Sequence, residues 1–455
     1  MERQSKNFLE KFLSLFTEVQ AGEGSKSILL FFNIFLILTS YYIMKPVREA
    51  LILAGGGAEI KSYASAGQAL LMLGAVPAYA WLASRVNRRR LINTVTLIFM
   101  SCLGLFYALA LTHVPIGVIF FLWIGVFNMM VPAQFWAFAN DLHTPEAGKR
   151  LFVIFAFGAS SGAVLGGIIT DIMIEIVGVY QLLLVAGALL GLSLILTNIV
   201  DSRSTPVQKT DAKQLDEDTI SDTGQGAFEL VFRSRYLLAI AFLMMFLNWV
   251  NTTGEYILGR TVQDTATRSV SVNSAELTLG NQVNEDAIRS EVESYIGNFY
   301  AKFYTGVNTL GLLIQLFLVS RIFKYLGIRV ALMVLPIIAF GGYMVMAFIP
   351  ILSIIRWIKT AENATDYSLQ NTVRHVLFLP TSREEKYKAK QAIDSFFVRA
   401  GDVLSAVLVY VGTTWLAFHT SQFALVCLGL VIIWLVLAVY IGIEHKKRIA
   451  AIEYG

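Results

Sequence analysis

Twelve stretches of roughly twenty predominantly apolar residues follow one another along the chain, at 27–53, 63–85, 92–113, 115–140, 150–176, 178–200, 236–259, 294–320, 328–350, 351–378, 391–416 and 421–443. Each is long enough to cross a hydrocarbon layer as a helix, which satisfies its own backbone where no water can. Polar residues gather between them in short runs, with two longer exceptions. The run DSRSTPVQKTDAKQLDEDTISDTGQG, 201–226, falls between the sixth and seventh stretches, has almost no large apolar residues and reads as a flexible linker. The run 260–293 falls between the seventh and eighth, on the opposite side, and either caps that face or is loose. The pattern predicts an all-α membrane protein of twelve transmembrane helices in two six-helix halves. Its parts are a cytoplasmic interfacial segment (1–26), an N-terminal half (27–200), a cytoplasmic linker (201–228), a C-terminal half (229–445, with the insert 260–293) and a tail (446–455). In the first part Phe8, Leu9, Phe12, Leu13, Leu15 and Phe16 have helical spacing and predict an amphipathic helix along the interface, not a signal peptide.

Composition agrees and narrows the class. Of the 455 residues 56% are hydrophobic and 15% charged, and the mean hydropathy is +0.63. A soluble globule cannot hide so much apolar surface. Cys102 and Cys427 both lie in apolar runs, which excludes a disulfide scaffold. A net charge of +4 gives no support for a nucleic-acid partner. Position is more telling than the sum. Of the 36 basic residues, 25 fall in the alternate set of loops that includes both termini, such as Arg85 and Arg88 to Arg90, Lys149 and Arg150, and Lys446 to Arg448. The opposite loops hold five: Lys61, Arg260, Arg268, Arg289 and Lys302. The positive-inside rule then puts both termini in the cytoplasm, with a lipid bilayer as the surrounding medium.

Six basic residues remain inside the spans, where a charge is costly and therefore a functional candidate: Lys45, Arg48, Arg356, Lys359, Arg374 and Arg399. Span one carries Lys45, Arg48 and Glu49 on one helical face beside Pro46. Span ten carries Arg356, Lys359, Glu362 and Asp366, then Tyr367, Gln370, Asn371 and Arg374 at helical spacing. Arg399 and Asp402 are one turn apart in span eleven, and span seven offers Asn251 and Glu255. Cations so placed suit an anionic substrate, Arg especially through bidentate contacts to phosphate or carboxylate. The alternative is interhelical ion pairing. We expect Lys45, Arg48, Arg374 and Arg399 to meet the substrate, Glu49, Glu255, Asp366 and Asp402 to orient those cations or couple ions, and Tyr42, Tyr367, Asn371, Asn251 and Trp136 to stack or hydrogen-bond. Arg356 and Lys359 either line the same path or snorkel to the outer interface. His375 is the one histidine deep enough in a span to titrate during transport, although a satisfied His is the plainer reading. Gly158, Gly162, Gly166 and Gly167 in span five read as a close-packing seam. The Arg-rich loop 84–90 is a candidate lock for the cytoplasmic gate. No phosphate loop, zinc-protease motif, CxxC or nucleophile elbow is present, so the sequence supports neither an enzyme nor a cofactor or metal.

The division into six plus six resembles the plan of the major facilitator superfamily, which implies a substrate site near the midplane between halves. Three blocks are more specific. YYIMKPVREALIL (41–53), FWAFANDLHTPEAGKR (135–150, followed by FGASSGAVLGG) and YSLQNTVRHVLFLPTSREEKYKAKQAID (367–394) resemble the ATP/ADP translocase family of plastids and intracellular bacteria. FVRAGDVLSA (397–406) resembles its branch in free-living bacteria. In the nucleotide exchangers the first-helix motif has Lys where this chain has Arg48, and Asp402 stands where they carry Lys. The resemblance implies a secondary transporter, not an enzyme, that exchanges nucleotides of ATP/ADP type by alternating access, acting as a monomer. Two alternatives stay open: a proton-coupled carrier of another small solute, with Glu49, Asp366 or Asp402 as the proton site, and a non-transporting membrane scaffold.

Overall fold

In a computed structural model the described residues are 7, 10–11, 14, 17–112, 114–203, 226–277, 285–382 and 385–454. The six apolar positions of the expected interfacial helix lie outside them, as do 204–225 of the linker and 278–284 of the insert. Every regular element among the described residues is helical. The main helices are α1 Gly24–Arg85, α2 Arg88–Ala110, α3 Gly117–Asp141, α4 Pro145–Val177, α5 Gln181–Arg203, α6 Arg235–Leu277, α7 Glu285–Leu313, α8 Gly327–Phe348, α9 Leu352–Thr365, α10 Val398–Thr414 and α11 Thr420–Tyr454. Much of the 260–293 insert is thus helical, since α6 runs on to Leu277 and α7 begins at Glu285. Among the described residues, eight helical stretches are long and apolar enough to cross a membrane.

Two of those eight, Gly24–Arg85 with 62 residues and Asp286–Phe348 with 63, are about three times the length one crossing needs. Each breaks at a glycine in the left-handed region: Gly57 at φ 83° and Gly327 at φ 75°. A side chain at either point would be strained, so the glycine is what allows the turn. Local chemistry sets other ends. Thr144 caps α4, its hydroxyl accepting from the Ala147 N–H at 3.3 Å, with Pro145 in the first turn. Gly178 closes α4 at φ 88°.

The chain forms two compact units. The first comprises Met1–Gly55, Leu71–Thr210 and Glu285–Thr305; the second comprises Gly56–Leu70, Asp211–Asn284 and Gly306–Gly455. In the first unit α4 lies backbone-close to α1. A Cβ on Gly158, Gly162 or Gly166 would meet the carbonyl oxygen of Phe31, Phe35 or Thr39 in turn. The glycine seam therefore packs helices, as small residues do where no hydrophobic force separates lipid from protein. Helices α2 and α5 exchange amide hydrogen bonds between Asn93 and Asn198, both at 3.1 Å. Arg88 lies 2.8 Å from Asp201 and 3.6 Å from Asp141, so this arginine of the 84–90 loop is paired inside the unit. At the start of the chain Arg150 grips Glu23 at 3.0 Å and the Glu18 carbonyl. Burial pushes the Glu23 carboxyl up, but the Arg150 hydrogen bond, the Gln20 N–H and the Arg150 charge hold it below the usual carboxylate range.

The second unit is built differently. Five π-helical turns occur there, at Ile314–Leu318, Ile322–Leu326, Asp366–Gln370, Glu385–Ala389 and Ile393–Phe397, and none lies in the first unit among the described residues. Helix α9 runs into the third of these and resumes as Asn371–Leu377. Here too a glycine brings helices together: a Cβ on Gly401 of α10 would meet the Met245 carbonyl and Trp249 nitrogen of α6.

Candidate functional site

The charges singled out in the spans form one trio in the first unit and, in the second, two ion pairs and a lysine–glutamate network. In the first, Pro46 sits inside α1 between Lys45 and the Arg48–Glu49 pair. Glu49 is fully buried and accepts from the Arg48 guanidinium and from the Tyr304 hydroxyl at 3.2 Å. The Lys45 ammonium stands 4.0 Å over the Tyr304 ring and 5.2 Å over the Tyr42 ring. Arg48 lies over the face of Phe121 at 4.7 Å. Two cations and one carboxylate leave a net single positive charge in this trio, set among aromatic faces that favour cations. Tyr304 is the residue sequence reading missed. Span eight marks it only as one aromatic among several, in FYAKFYTG. Trp136 is not part of the cluster. It packs on Phe135 and Phe152, nine residues along α3 from Phe127, which stacks on Tyr41.

In the second unit Asp366 and Arg374 pair at 2.9 Å across the π turn, and Arg399 and Asp402 pair at 3.2 Å within α10. Asp402 also accepts from the Asn248 amide and the Thr252 hydroxyl, both at 2.8 Å. Arg374 and Arg399 are 28% and 40% exposed, which leaves both guanidinium groups accessible beside their carboxylates. Tyr367 and Asn371 are exposed on the same stretch of helix.

Lys359 departs from the snorkelling alternative. It is completely buried, bound to the Asn251 carboxamide oxygen at 2.8 Å and to Glu362 at 3.0 Å, with Glu255 at 3.8 Å. Glu255 in turn accepts from the Asn363 amide at 2.9 Å and lies 3.9 Å from Lys61. Lys61, assigned by sequence to an outer loop, is 6% exposed. Two lysines and two glutamates thus form a charge-balanced network in which all but Glu255 are buried, and such pairing is the condition under which buried ions persist. Asn251 and Glu255 belong to this network. The i, i+3 spacing of Lys359 and Glu362 carried the signal for half of it; nothing in the sequence pointed to Lys61. His375 is exposed, with its Nδ1 at 3.0 Å from the Lys390 ammonium.

Helices that long and apolar, carrying their charges in ion pairs and cation–aromatic contacts, define a multi-pass membrane protein. The chain belongs to the Major Facilitator Superfamily, whose family model matches residues 27–361. It is 22% identical to ADP,ATP carrier protein 2 of Chlamydia pneumoniae over 95% of this chain and 91% of that one. The sequence resemblance to the ATP/ADP translocase family is borne out by that match. Among solved structures the fold is similar to nucleoside transporter NupG, with a TM-score of 0.60, 12% identity, and 93% and 99% of the two chains covered. It is also similar to a POT family transporter in complex with 5-aminolevulinic acid, with a TM-score of 0.59, 14% identity, and 93% and 96% covered.

Proposed function

We propose that this protein exchanges nucleotides of ATP/ADP type across a bacterial inner membrane by alternating access. The observation that carries the reading is the match to an ADP,ATP carrier along nearly the whole chain, combined with the net positive Lys45–Arg48–Glu49 trio. In this account twelve spans form two six-helix halves with both termini in the cytoplasm, and the carrier works as a monomer. Lys45, Arg48, Arg374 and Arg399 meet substrate phosphates. Glu49, Asp366 and Asp402 hold three of those cations in place, so that the anion finds donors already oriented. Tyr42, Tyr367 and Asn371 contact the base or sugar. Asn251 and Glu255 act through the Lys359 network rather than on substrate, and Trp136 serves the packing of the α3 end.

Proteoliposomes loaded with unlabelled ADP test the reading. They should take up labelled ATP, and empty vesicles should not. Folded protein that exchanges no member of a nucleotide panel would remove the nucleotide claim. Uptake driven by a pH gradient without internal substrate would replace it with a proton-coupled carrier.

A further inference from the structure

The π turn Asp366–Gln370 interrupts the helix that carries Arg374, and four observations about it fit together. The first is the ion pair itself. Residues eight apart on an uninterrupted α-helix are separated by about 800° of rotation, roughly 80° past two full turns. One π turn takes in an extra residue and removes about 100°, which leaves them roughly 20° short of two turns and on one face. Arg374 then reaches back toward the helix N-terminus, as helical side chains do, and meets Asp366 at 2.9 Å. The contact exists because the bulge lies between its partners.

Second, the helix is fixed at both ends. Lys359 holds it on one side through Asn251 and Glu362. On the other side the Tyr236 hydroxyl donates to the Leu377 carbonyl at 2.8 Å. An extra residue caught between two fixed ends cannot be discarded, but it can move along. Third, two hydroxyls bond to backbone carbonyls at the turn: Ser368 donates to Ala364 O at 2.6 Å and Thr372 donates to Ser368 O at 3.1 Å. Fourth, Gln370 is completely buried, and neither amide atom has a hydrogen-bond partner among the described residues. A buried amide is unfavourable in that condition, so the present register is one that Gln370 disfavours.

We infer that this π turn is a sliding bulge that positions Arg374. As it passes toward Leu377, each residue it crosses rotates by about 100° and takes the angular place of its successor. Gln370 leaves its buried slot for the exposed place now held by Asn371, and Arg374 turns off Asp366 while both ends of the helix stay where they are. A cation would thus be withdrawn from its carboxylate and presented in turn, with no rigid-body movement of the helix. The inference rests on the chain being a transporter and on Arg374 facing the transport path, not on the substrate being a nucleotide.

Thiol labelling reads the slide without any substrate. In full-length protein with Cys102→Ser and Cys427→Ala, Gln370→Cys should react with a maleimide at a measurable rate, slower than the exposed control Asn371→Cys. Deletion of Ser368 removes the extra residue, leaves Asp366 and Arg374 on one face at about 700°, and should slow labelling of the same cysteine at least tenfold. It should also cut exchange of whichever substrate the parent transports at least tenfold. Equal labelling with and without Ser368, or no labelling of Gln370→Cys once Asn371→Cys is complete, would overturn the slide. Should the deletion fail to fold, the Gln370→Cys and Asn371→Cys pair still decides. A carrier that labels as expected but exchanges no nucleotide would keep this inference and reject the nucleotide reading.

Discussion

The two units solve one problem, a charge inside an apolar helix, by different means. In the first, the cations Lys45 and Arg48 share one buried carboxylate and lean on aromatic faces, while the backbone around them is fixed by glycine-mediated contact between α4 and α1. In the second, cations and carboxylates alternate in a network from Lys61 through Glu255 and Lys359 to Glu362, and the helix bearing Arg374 contains a π turn. The first arrangement sets charges on a rigid frame. The second fixes one end of a helix firmly and leaves its middle with a residue to spare. Rigid presentation and movable presentation are thus divided between the units.

The strongest way to break that contrast is Lys359→Met. It leaves Glu362 buried without its cation, takes from Glu255 one of its two lysines, and should cost about 3–5 kcal/mol, seen as a large fall in Tm of the detergent-purified protein. Adding Glu362→Met should recover at least half of the loss, since a buried pair replaced by apolar groups is often neutral. No recovery would mean that Lys359 serves something other than charge balance. In the first unit Gly162→Leu drives a side chain into the Phe35 carbonyl and should cost about 1–3 kcal/mol by the same measurement. An unchanged Tm would show that α4 and α1 are not so close.

Smaller effects sharpen the comparison. Tyr304→Phe keeps the ring under Lys45 but removes the hydroxyl from Glu49, which should cost about 0.5–1.5 kcal/mol and leave a second, larger step for Tyr304→Leu. The smallest is the Arg150–Glu23 pair, part-exposed and worth up to about 1 kcal/mol. Its sign follows from a carboxyl whose folded pKa is depressed. The contribution is full above the unfolded carboxylate pKa, near pH 4.5, and is lost as pH falls through the lower folded value. Arg150→Ala should therefore lower Tm slightly at pH 7, and the gap to the parent should close below pH 4.

Much of this was legible in the sequence. Apolar run length and the sorting of Lys and Arg identified a multi-pass membrane protein, and the rarity of charge singled out Lys45, Arg48, Arg374 and Arg399. The carboxylates one turn away, Glu49 and Asp402, were visible from helical spacing. What escaped has physical reasons. A π turn adds one residue without altering the composition of its helix, so the Asp366–Arg374 pair at i, i+8 matches no spacing rule. Tyr304 and Lys61 reach their charged partners through packing between segments distant in sequence, which periodicity cannot report. Lys359 was read as able to snorkel because hydropathy gives depth along a helix only coarsely, and the carboxylates that hold it come from two helices.

Exchange by point variants of the cations tests the central claim most directly. In ADP-loaded proteoliposomes, the parent and Arg150→Ala should take up labelled ATP at similar rates, while Lys45→Gln and Arg374→Gln should each lose at least tenfold with Tm near that of the parent. Lys45→Gln and Arg374→Gln proteins that exchange as fast as the parent would contradict the account.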